Sequence, residues 1–288
     1  MVKVSALDGV NMDISHQLKF VRSALYMPAS NARALEKARW LDADMLILDL
    51  EDAVPDDAKA EARAAAVRYV AAGVPGKLLA IRVNSADSRW FDDDVEALKE
   101  CRADLIVLPK VEDSTTIDRI WRSLPAPLLA MIETPAGIFA AREIAAHHSV
   151  AGLIAGTNDI AAETGMKPGP LRQGMELSLQ MIVLAASAAG KPRFDGVCNR
   201  LDDMDGFDVE CRQGSTYGFT GKTLIHPNQI FIANEVFGPD GTAVAEAEEL
   251  IAASGGGAQR FKGRMIESMH VEEAKLTIEH SRAATEGV

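Results

Sequence analysis

Short apolar runs alternate with longer segments of helical periodicity along most of this chain. The longer segments are rich in Ala, Glu and Arg and place an apolar residue every three or four positions, which is typical of amphipathic helices. The apolar runs have no polar face, as expected for parallel strands covered by helices on both sides. They predict eight strands, over Ala24–Met27, Met45–Leu50, Leu78–Val83, Leu105–Leu108, Leu129–Ile132, Gly152–Ala155, Phe194–Val197 and Gly221–Ile225.

Eight strand–helix units over residues 20–238 favour an α/β fold of the (β/α)₈ TIM-barrel type. An open, doubly wound sheet is the alternative, but no GxGxxG string follows the first strand, so a dinucleotide site has no support. After Pro239 the pattern changes to a helix, a triple-glycine joint, a short extended segment over 261–266 and a last helix. We interpret residues 239–288 as a C-terminal arm or lid, because so short a segment buries little core alone.

Composition and charge exclude several classes of protein. The net charge of −12 argues against a nucleic-acid surface, which needs clustered Lys and Arg. The three cysteines, Cys101, Cys198 and Cys211, show no CxxC spacing, which favours reduced thiols in a cytoplasmic protein. The first twenty residues carry no apolar signal-peptide core, and no apolar run approaches the length of a membrane span. We therefore expect a cytoplasmic protein with neither membrane nor nucleic-acid partners.

Ionisable residues end nearly every predicted strand, and packing alone does not require them there. In a (β/α)₈ barrel the strand ends form the active site. Buried neighbouring carboxylates are costly unless a cation pairs with them, and oxygen ligands without a His–Cys cluster favour magnesium or manganese over zinc. Glu133 and Asp159 follow adjacent strands and are expected to share one metal ion. The full set is Asp49, Glu51, Asp52, Arg82, Asn84, Lys110, Glu133, Asp159, Asp195, Lys222 and His226.

Structural roles remain open for several of these residues. Glu133 could be a charge at a helix amino terminus, and Asp159 could be an N-cap. Arg82 could form a structural salt bridge to Glu51 or Glu133, or bind substrate. Lys110 could equally form an ion pair.

The acidic turn after the second strand has two interpretations as well. Asp52 could simply cap a solvated strand-to-helix turn. Glu51 is expected to reach metal-bound water or to orient a neighbouring Arg or Lys.

The strings of this chain resemble the citrate lyase β-subunit-like family of coenzyme A ester lyases, within the HpcH/HpaI aldolase/citrate lyase superfamily. The resemblance runs from about residue 20 to the end of the chain, and it is the order of the strings together that is specific. The strings are Arg22-Ser23-Ala24-Leu25-Tyr26-Met27-Pro28, Leu48-Asp49-Leu50-Glu51-Asp52-Ala53-Val54, Lys59 with Ala62-Arg63, Arg82-Val83-Asn84, Leu108-Pro109-Lys110, Ile132-Glu133-Thr134, Gly156 with Asp159, and Gly218-Phe219-Thr220-Gly221-Lys222 with Ile225-His226-Pro227.

The resemblance implies a (β/α)₈ barrel that assembles as a homotrimer or hexamer. It implies Mg²⁺ held by Glu133 and Asp159, and an Arg82 that contacts the substrate and stabilises an enolate. Cleavage of a 3-hydroxyacyl-CoA thioester, such as malyl-, methylmalyl- or citramalyl-CoA, into an acyl-CoA and an α-keto acid is the implied reaction. Arg22 is a candidate for the coenzyme A phosphates, Lys110 for the substrate, and Glu51 and Asp52 for catalysis.

In the family the arm's Met-Ile-Asp string gives an acid to a neighbouring subunit's site. Here that string reads Met265-Ile266-Glu267, so the carboxyl group stands one methylene further from the main chain. Misplacement by about 1 Å can cost roughly 10²-fold in rate, which bears directly on the expected role of Glu267.

Three rival functions remain open at this point. One is a citrate lyase β subunit that acts on a citryl thioester of an acyl-carrier protein. Another is a pyruvate-type aldolase that does not use coenzyme A. The third is a non-catalytic subunit that binds acyl-CoA.

Overall fold

A computed structural model of the chain describes residues 14–124, 126–255 and 257–286. Within these ranges, the eight expected strands form one closed parallel barrel in sequence order, and the predicted fold class is confirmed. Each strand lies within two residues of its predicted bounds at either end. The strands are β1 (Ser23–Pro28), β2 (Met45–Asp49), β3 (Leu78–Arg82), β4 (Leu105–Leu108), β5 (Leu128–Ile132), β6 (Val150–Ala155), β7 (Arg193–Asp195) and β8 (Gly221–Leu224).

The helices form the outer layer and cover the barrel strand by strand. The helices are α1 (Ala32–Ala38), α2 (Lys59–Ala72), α3 (Phe91–Leu98), α4 (Ser114–Ser123), α5 (Pro135–Ala146), α6 (Thr157–Thr164), α7 (Glu176–Ala188), α8 (Met204–Tyr217), α9 (Ile230–Phe237), α10 (Gly241–Ala253) and α11 (Ser268–Glu286). Short 3₁₀ turns span Leu18–Phe20, Asp56–Ala58 and Pro227–Gln229. Among the described residues, no helix is long and apolar enough to cross a membrane.

Two apolar layers explain why the strands lack a polar face. In β2, Met45 and Ile47 point into the barrel, where they pack with residues such as Leu105. Their neighbours Leu46 and Leu48 point outward and join the layer between barrel and helices. Since side chains alternate along a strand, a strand buried on both faces is apolar throughout. The packed barrel interior leaves only the strand ends for chemistry.

The arm forms a small apolar cluster of its own at the amino-terminal end of the barrel, opposite the carboxyl ends of the strands. Helices α10 and α11 pack on each other around Ala247, Leu250 and Ala274. Helix α11 also contacts the 3₁₀ turn at Leu18–Phe20, which precedes β1. These helices of the arm therefore do not cover the carboxyl ends of the barrel strands of the same chain.

The extended segment expected over 261–266 is instead a hairpin, and that prediction was wrong. Strands β9 (Gln259–Phe261) and β10 (Arg264–Ile266) pair antiparallel across a turn at Lys262 and Gly263, both with positive φ. The expected glycine joint includes Gly256, which lies outside the described residues. The first thirteen residues, in which no signal-peptide pattern is found, lie outside them as well.

Candidate active site

A cavity of about 280 Å³ opens at the carboxyl ends of the strands. Arg82 is the one cationic side chain among the described residues that line it, and it shares the wall with the carboxylates Glu133 and Asp159. The lining residues are Tyr26, Asp49, Asp52, Ala53, Arg82, Met131, Glu133, Ile154, Ala155, Gly156, Thr157, Asn158, Asp159, Val197, Asn199, Thr223 and Ile225.

Glu133 follows β5 and is 3% exposed. Its Oε1 accepts a hydrogen bond of 2.6 Å from the main-chain N–H of Lys110. Lys110 has φ +51°, a left-handed conformation that is uncommon for a residue other than glycine. Burial raises the pKa of Glu133 to about 7, and the nearby charge of Asp159 adds to this effect. The carboxylate is therefore held in place but poorly solvated.

Gly156, which precedes α6, leaves room for the side chain of Glu133. A Cβ at Gly156 would lie 2.2 Å from Cβ of Glu133 and 2.5 Å from its Oε2. Asp159 lies on the first turn of α6, half-buried, and reaches the same cavity. Asp159 does not take the N-cap role left open by the sequence, because Gly156 occupies the N-cap of α6. Glu133 directly precedes Thr134, the N-cap of α5, so it does lie at a helix amino terminus, and its carboxylate also lines the cavity.

These two carboxylates fit a magnesium ion. Mg²⁺ commonly takes one or two carboxylates and completes its shell with water and substrate oxygens. In the described ranges no group of three or more His, Cys, Asp or Glu residues is suited to a metal, which excludes a cage made by side chains of those types alone. With Oε1 occupied by Lys110, Glu133 keeps Oε2 for a ligand. A cation beside these groups would also offset the repulsion that raises the pKa of Glu133.

Arg82 ends β3 and is held by the acidic turn that ends β2. Its Nε and Nη2 donate to the two oxygens of Asp49, each at 2.7 Å. Its Nη1 lies 3.1 Å from Glu51 and 3.2 Å from Asp52. The guanidinium carbon also lies 4.9 Å from the centre of the Tyr26 ring, a cation–π distance. The salt bridge to Glu51 left open by the sequence is thus present, and Asp49 is the stronger partner.

Glu51 touches Arg82 but does not line the cavity. Burial raises the pKa of Glu51 to about 8, and Arg82 only partly offsets this increase. The main chain of its turn is fixed by Lys59, whose buried ammonium donates to the carbonyl oxygens of Leu50 (2.7 Å) and Glu51 (2.8 Å). The third proton of Lys59 bonds the side chain of Asn84 at 2.7 Å. Glu51 and Lys59 therefore position Arg82 and the turn that follows β2.

The opposite wall of the cavity carries a pair of amides. Asn199 donates to Asn158 at 2.7 Å, and both line the cavity. The loop after β7 that carries Asn199 is anchored by Lys222, which is fully buried and donates to the carbonyl oxygen of Gly196 at 2.6 Å.

An ion cluster holds Lys222 itself. Its ammonium contacts Asp195 at 2.9 Å and Glu210 at 3.0 Å, and Arg172 binds the other oxygen of Asp195 at 2.6 Å. Burial alone would raise the pKa of Asp195, but Lys222 and Arg172 outweigh burial and lower it. Asp195 ends β7 as expected, but Lys222 is the second residue of β8 and not its end, so that prediction was wrong. Neither residue lines the cavity; both support its wall.

Two residues expected at the site, Arg22 and Lys110, lie elsewhere, and Glu267, expected at a neighbouring subunit's site, lies on the arm. Arg22 precedes β1, at the other end of the barrel, where it forms a two-bond pair with Asp44 (2.8 and 3.0 Å); the structure does not bring it to the cavity. The exposed side chain of Lys110 lines an adjoining cavity that shares Asp159 with the first. Glu267 is exposed on the arm, where its N–H donates to His270 at 3.0 Å.

Sequence reasoning missed four residues of the cavity: Tyr26, Asp49 as the partner of Arg82, Thr157 and Asn199. Tyr26 stands in one of the strings that carry the family resemblance, which was the available signal. Thr157 directly follows Gly156, within a motif already singled out.

The chain belongs to the HpcH/HpaI aldolase/citrate lyase family, whose model matches residues 22–227. It is 41% identical to a (3S)-malyl-CoA thioesterase of Cereibacter sphaeroides, over 94% of this chain and 98% of that relative. It is 32% identical to an L-malyl-CoA/beta-methylmalyl-CoA lyase of the same species, over 89% of this chain and 93% of the relative. Family members are thus enzymes that act on coenzyme A esters, as lyases or thioesterases.

Solved structures of relatives share the barrel, and two of them contain bound ligands. CitE from Mycobacterium tuberculosis, in complex with magnesium, acetoacetate and coenzyme A, matches 90% of this chain and 97% of that chain, with a TM-score of 0.77 and 29% identity. The citrate lyase beta subunit from M. tuberculosis, complexed with oxaloacetate and magnesium, matches 76% of this chain and 98% of that chain, with a TM-score of 0.69 and 29% identity. Magnesium therefore accompanies keto acids in relatives of this fold.

Proposed function

We propose that this protein is a magnesium-dependent hydrolase of malyl-CoA-type thioesters, which releases coenzyme A and a free hydroxydicarboxylate. The observation that carries this proposal is the placement of Arg82 in one small cavity with Glu133 and Asp159. Such a site accommodates a hydroxy acid and a developing oxyanion at the same time. The higher identity to the malyl-CoA thioesterase than to the malyl-CoA lyase supports hydrolysis over carbon–carbon cleavage.

Glu133 and Asp159 are the residues that would hold magnesium. The ion would supply a Lewis acid for the hydroxyl and carboxylate oxygens of the substrate. Lys110 keeps Glu133 in a fixed orientation through its main-chain N–H, so the carboxylate needs no reorganisation when substrate binds.

Arg82 would stabilise the negative oxygen of the thioester as water attacks. Asp49 binds its Nε and Nη2, which leaves Nη1 as the donor for substrate. Nη1 contacts Asp52, whose side chain is 72% exposed, so breaking this contact costs little free energy. A substrate carbonyl oxygen can take the place of Asp52 without breaking the Asp49 pair.

Asp52 lines the cavity and is placed to hold the attacking water. In the proposed reaction the carboxylate of Asp52 accepts a proton as the water oxygen bonds to the thioester carbon. The carbon–sulfur bond then breaks, and the proton passes to the leaving thiolate, so coenzyme A leaves as a thiol. The amides Asn158 and Asn199 face the same space and can bind the polar end of the substrate.

Carbon–carbon cleavage is the second candidate, supported by the malyl-CoA/beta-methylmalyl-CoA lyase relative. In that reaction the hydroxyl loses its proton, the bond to the thioester α-carbon breaks and an α-keto acid separates. The enolate oxygen faces Arg82, and the enolate carbon takes up one proton in place of the one that the hydroxyl released, so the cleavage is balanced without water. Hydrolysis and carbon–carbon cleavage would use the same residues to bind the substrate. They differ in whether water attacks the thioester carbon.

The arm belongs to this proposal through a neighbouring subunit in a homotrimer or hexamer. Glu267 is exposed and flanked by Met265 and Met269, apolar side chains that are 68% and 57% exposed. Such a tip is suited to contact another copy, where Glu267 would bring an acid to the site, as the family resemblance implies.

Product analysis with malyl-CoA tests the proposal. With Mg²⁺ we expect free thiol and malate in equal amounts and no glyoxylate; after chelation of the metal we expect neither. Acetyl-CoA and glyoxylate without free thiol would establish the lyase instead. Hydrolysis of acetyl-CoA, which lacks the malyl group, at the same rate as malyl-CoA would contradict both the thioesterase and the lyase proposal. The absence of turnover with any thioester would contradict both as well.

A further inference from the structure

A second cavity, of about 610 Å³, lies at the amino-terminal end of the barrel, away from the candidate active site. It opens where helices α9, α10 and α11 meet the segments that precede β1, β7 and β8. Its described lining residues include Lys19, Lys191, Arg193 and His280 but no carboxylate. In a chain of net charge −12, such a charge distribution is unexpected.

The two half-buried cations in this wall, Lys191 and Arg193, have no acidic partner among the residues that the structure describes. Lys191 donates to the carbonyl oxygens of Ala145 (2.6 Å) and His147 (2.7 Å), at the end of α5. Arg193 donates through Nε to Gly218 at 2.6 Å, at the end of α8. Both therefore cap helices, but neither charge is neutralised by a carboxylate.

Each of these cations retains unused hydrogen-bond donors. An ammonium group carries three N–H bonds and a guanidinium carries five. After the contacts above, Lys191 keeps one N–H, and Nη2 of Arg193 has no partner among the described residues. Burial lowers the pKa of Lys191 to about 8 and also lowers the pKa of Arg193. A bound anion would reverse both effects.

His280 adds an imidazole ring to the wall of this cavity. It lines the cavity from α11, and its Nε2 is buried without a hydrogen-bond partner. Because this nitrogen is closed to solvent, a ligand in the cavity would meet other atoms of the ring, and the case for a ligand depends on Lys191 and Arg193.

We propose that this cavity binds an organic phosphate of about nucleotide size. The phosphate would contact Lys191 and Arg193, since a guanidinium matches phosphate oxygens and several donors suit a dianion. The volume lies within the range of about 300–1,000 Å³ of small-molecule sites, well above the needs of inorganic phosphate. The remaining wall, with Phe20, Phe237 and Leu276, suits the apolar body of such a ligand.

Calorimetric titration of the full chain with ADP, and separately with inorganic phosphate, tests this proposal. We expect ADP to bind and inorganic phosphate to bind at least about tenfold more weakly, because it lacks the apolar contact. Lys191→Met should weaken ADP binding by about tenfold or more, through loss of one charge-assisted contact. ADP that does not bind, or binds no better than inorganic phosphate, would overturn the proposal.

Lys77→Met is the matched control. The ammonium of Lys77 also lies on two carbonyl oxygens, of Leu41 and Ala43, and burial lowers its pKa, but it does not line the cavity. ADP binding should be unchanged in this variant. An equal loss of binding in both variants would mean a general structural effect and would count against the site.

Leu276→Trp provides a test that removes no charge. Leu276 is 47% exposed on α11 and lines the cavity, so a larger ring should occupy the ligand's space and abolish ADP binding. Binding that persists unchanged in both Leu276→Trp and Lys191→Met places ADP elsewhere and refutes the proposal. Thioester turnover should be unaffected in all three variants, so failure here is distinct from failure of the proposed function.

Discussion

Asp49 and Arg82 are register partners on the neighbouring strands β2 and β3, and their side chains meet in a two-bond pair of 2.7 Å each. Because both residues end their strands, the pair lies at the floor of the candidate active site. The pair fixes the guanidinium plane and leaves Nη1 directed to Glu51, Asp52 and incoming substrate. Positioning of this cation is therefore a property of strand register.

Asp49→Asn should lower kcat by about 10²-fold, because Arg82 loses one of its two fixed bonds and its orientation. Steady-state kinetics with malyl-CoA measures the effect. Asp44→Asn is the matched control, since Asp44 forms the equivalent two-bond pair with Arg22 at the other end of the barrel. Both variants should lose about 3–5 kcal/mol of folding free energy, but only Asp49→Asn should lose activity. Equal kinetic losses would refute a specific role for Asp49.

Gly156→Ala should disrupt the carboxylate of Glu133 without changing any charge. The added methyl group would lie 2.2 Å from Cβ of Glu133, so the side chain or α6 must move. We expect Mg²⁺ affinity to fall by about tenfold or more, measured by calorimetry. Gly241→Ala, at the start of α10, has open space for its methyl group and should bind Mg²⁺ as the wild type does. Unchanged metal affinity in Gly156→Ala would contradict the site described here.

Glu51→Gln should stabilise the ligand-free protein above neutral pH. Burial raises the pKa of Glu51 from 4.5 to about 8, so ionisation costs free energy in the folded state. That penalty is absent below pH 4.5, grows up to about pH 8 and is constant above it. Urea unfolding in metal-free buffer at pH 5 and 8.5 should show an advantage for Gln only at the higher pH, on the order of 1–3 kcal/mol. Glu61→Gln, exposed on α2, is the control for the chemical change. A less stable Glu51→Gln protein at pH 8.5 would mean that its bond to Arg82 outweighs burial.

The sequence was sufficient to predict the barrel because each strand is buried on both faces. Runs such as Leu105–Leu108 and Leu128–Ile132 have no polar position, and the charged residues of β2 and β3 stand only where those strands end. Strands β7 and β8 depart from this pattern, since Arg193 begins β7 and Lys222 is the second residue of β8. The same rule predicted that Glu133 and Asp159 reach one cavity, as they do. The same rule excludes Arg22 from the site, because Arg22 precedes β1 and so lies at the amino-terminal end of the barrel.

What escaped prediction depends on conformation rather than on composition. The end of β2 and the turn after it carry three carboxylates, Asp49, Glu51 and Asp52, and the β2–β3 register determines that Asp49 pairs with Arg82. The N–H that binds Glu133 comes from Lys110, which has a positive φ. Positive φ is usually predicted from a glycine, and this position is a lysine. The arm hairpin turns at Lys262 and Gly263, where the dipeptide alone does not distinguish a turn from a continuous strand.

The central claim is that Glu133 and Asp159 hold a divalent cation beside Arg82, and binding of Mn²⁺ measured by electron paramagnetic resonance tests it most directly. We expect one Mn²⁺ site per chain that Mg²⁺ displaces, and its loss in Glu133→Gln and in Asp159→Asn. Glu163→Gln, on the same helix as Asp159 but outside the 280 Å³ cavity, should bind Mn²⁺ normally. Mn²⁺ bound with unchanged affinity by either of the first two variants would contradict the account.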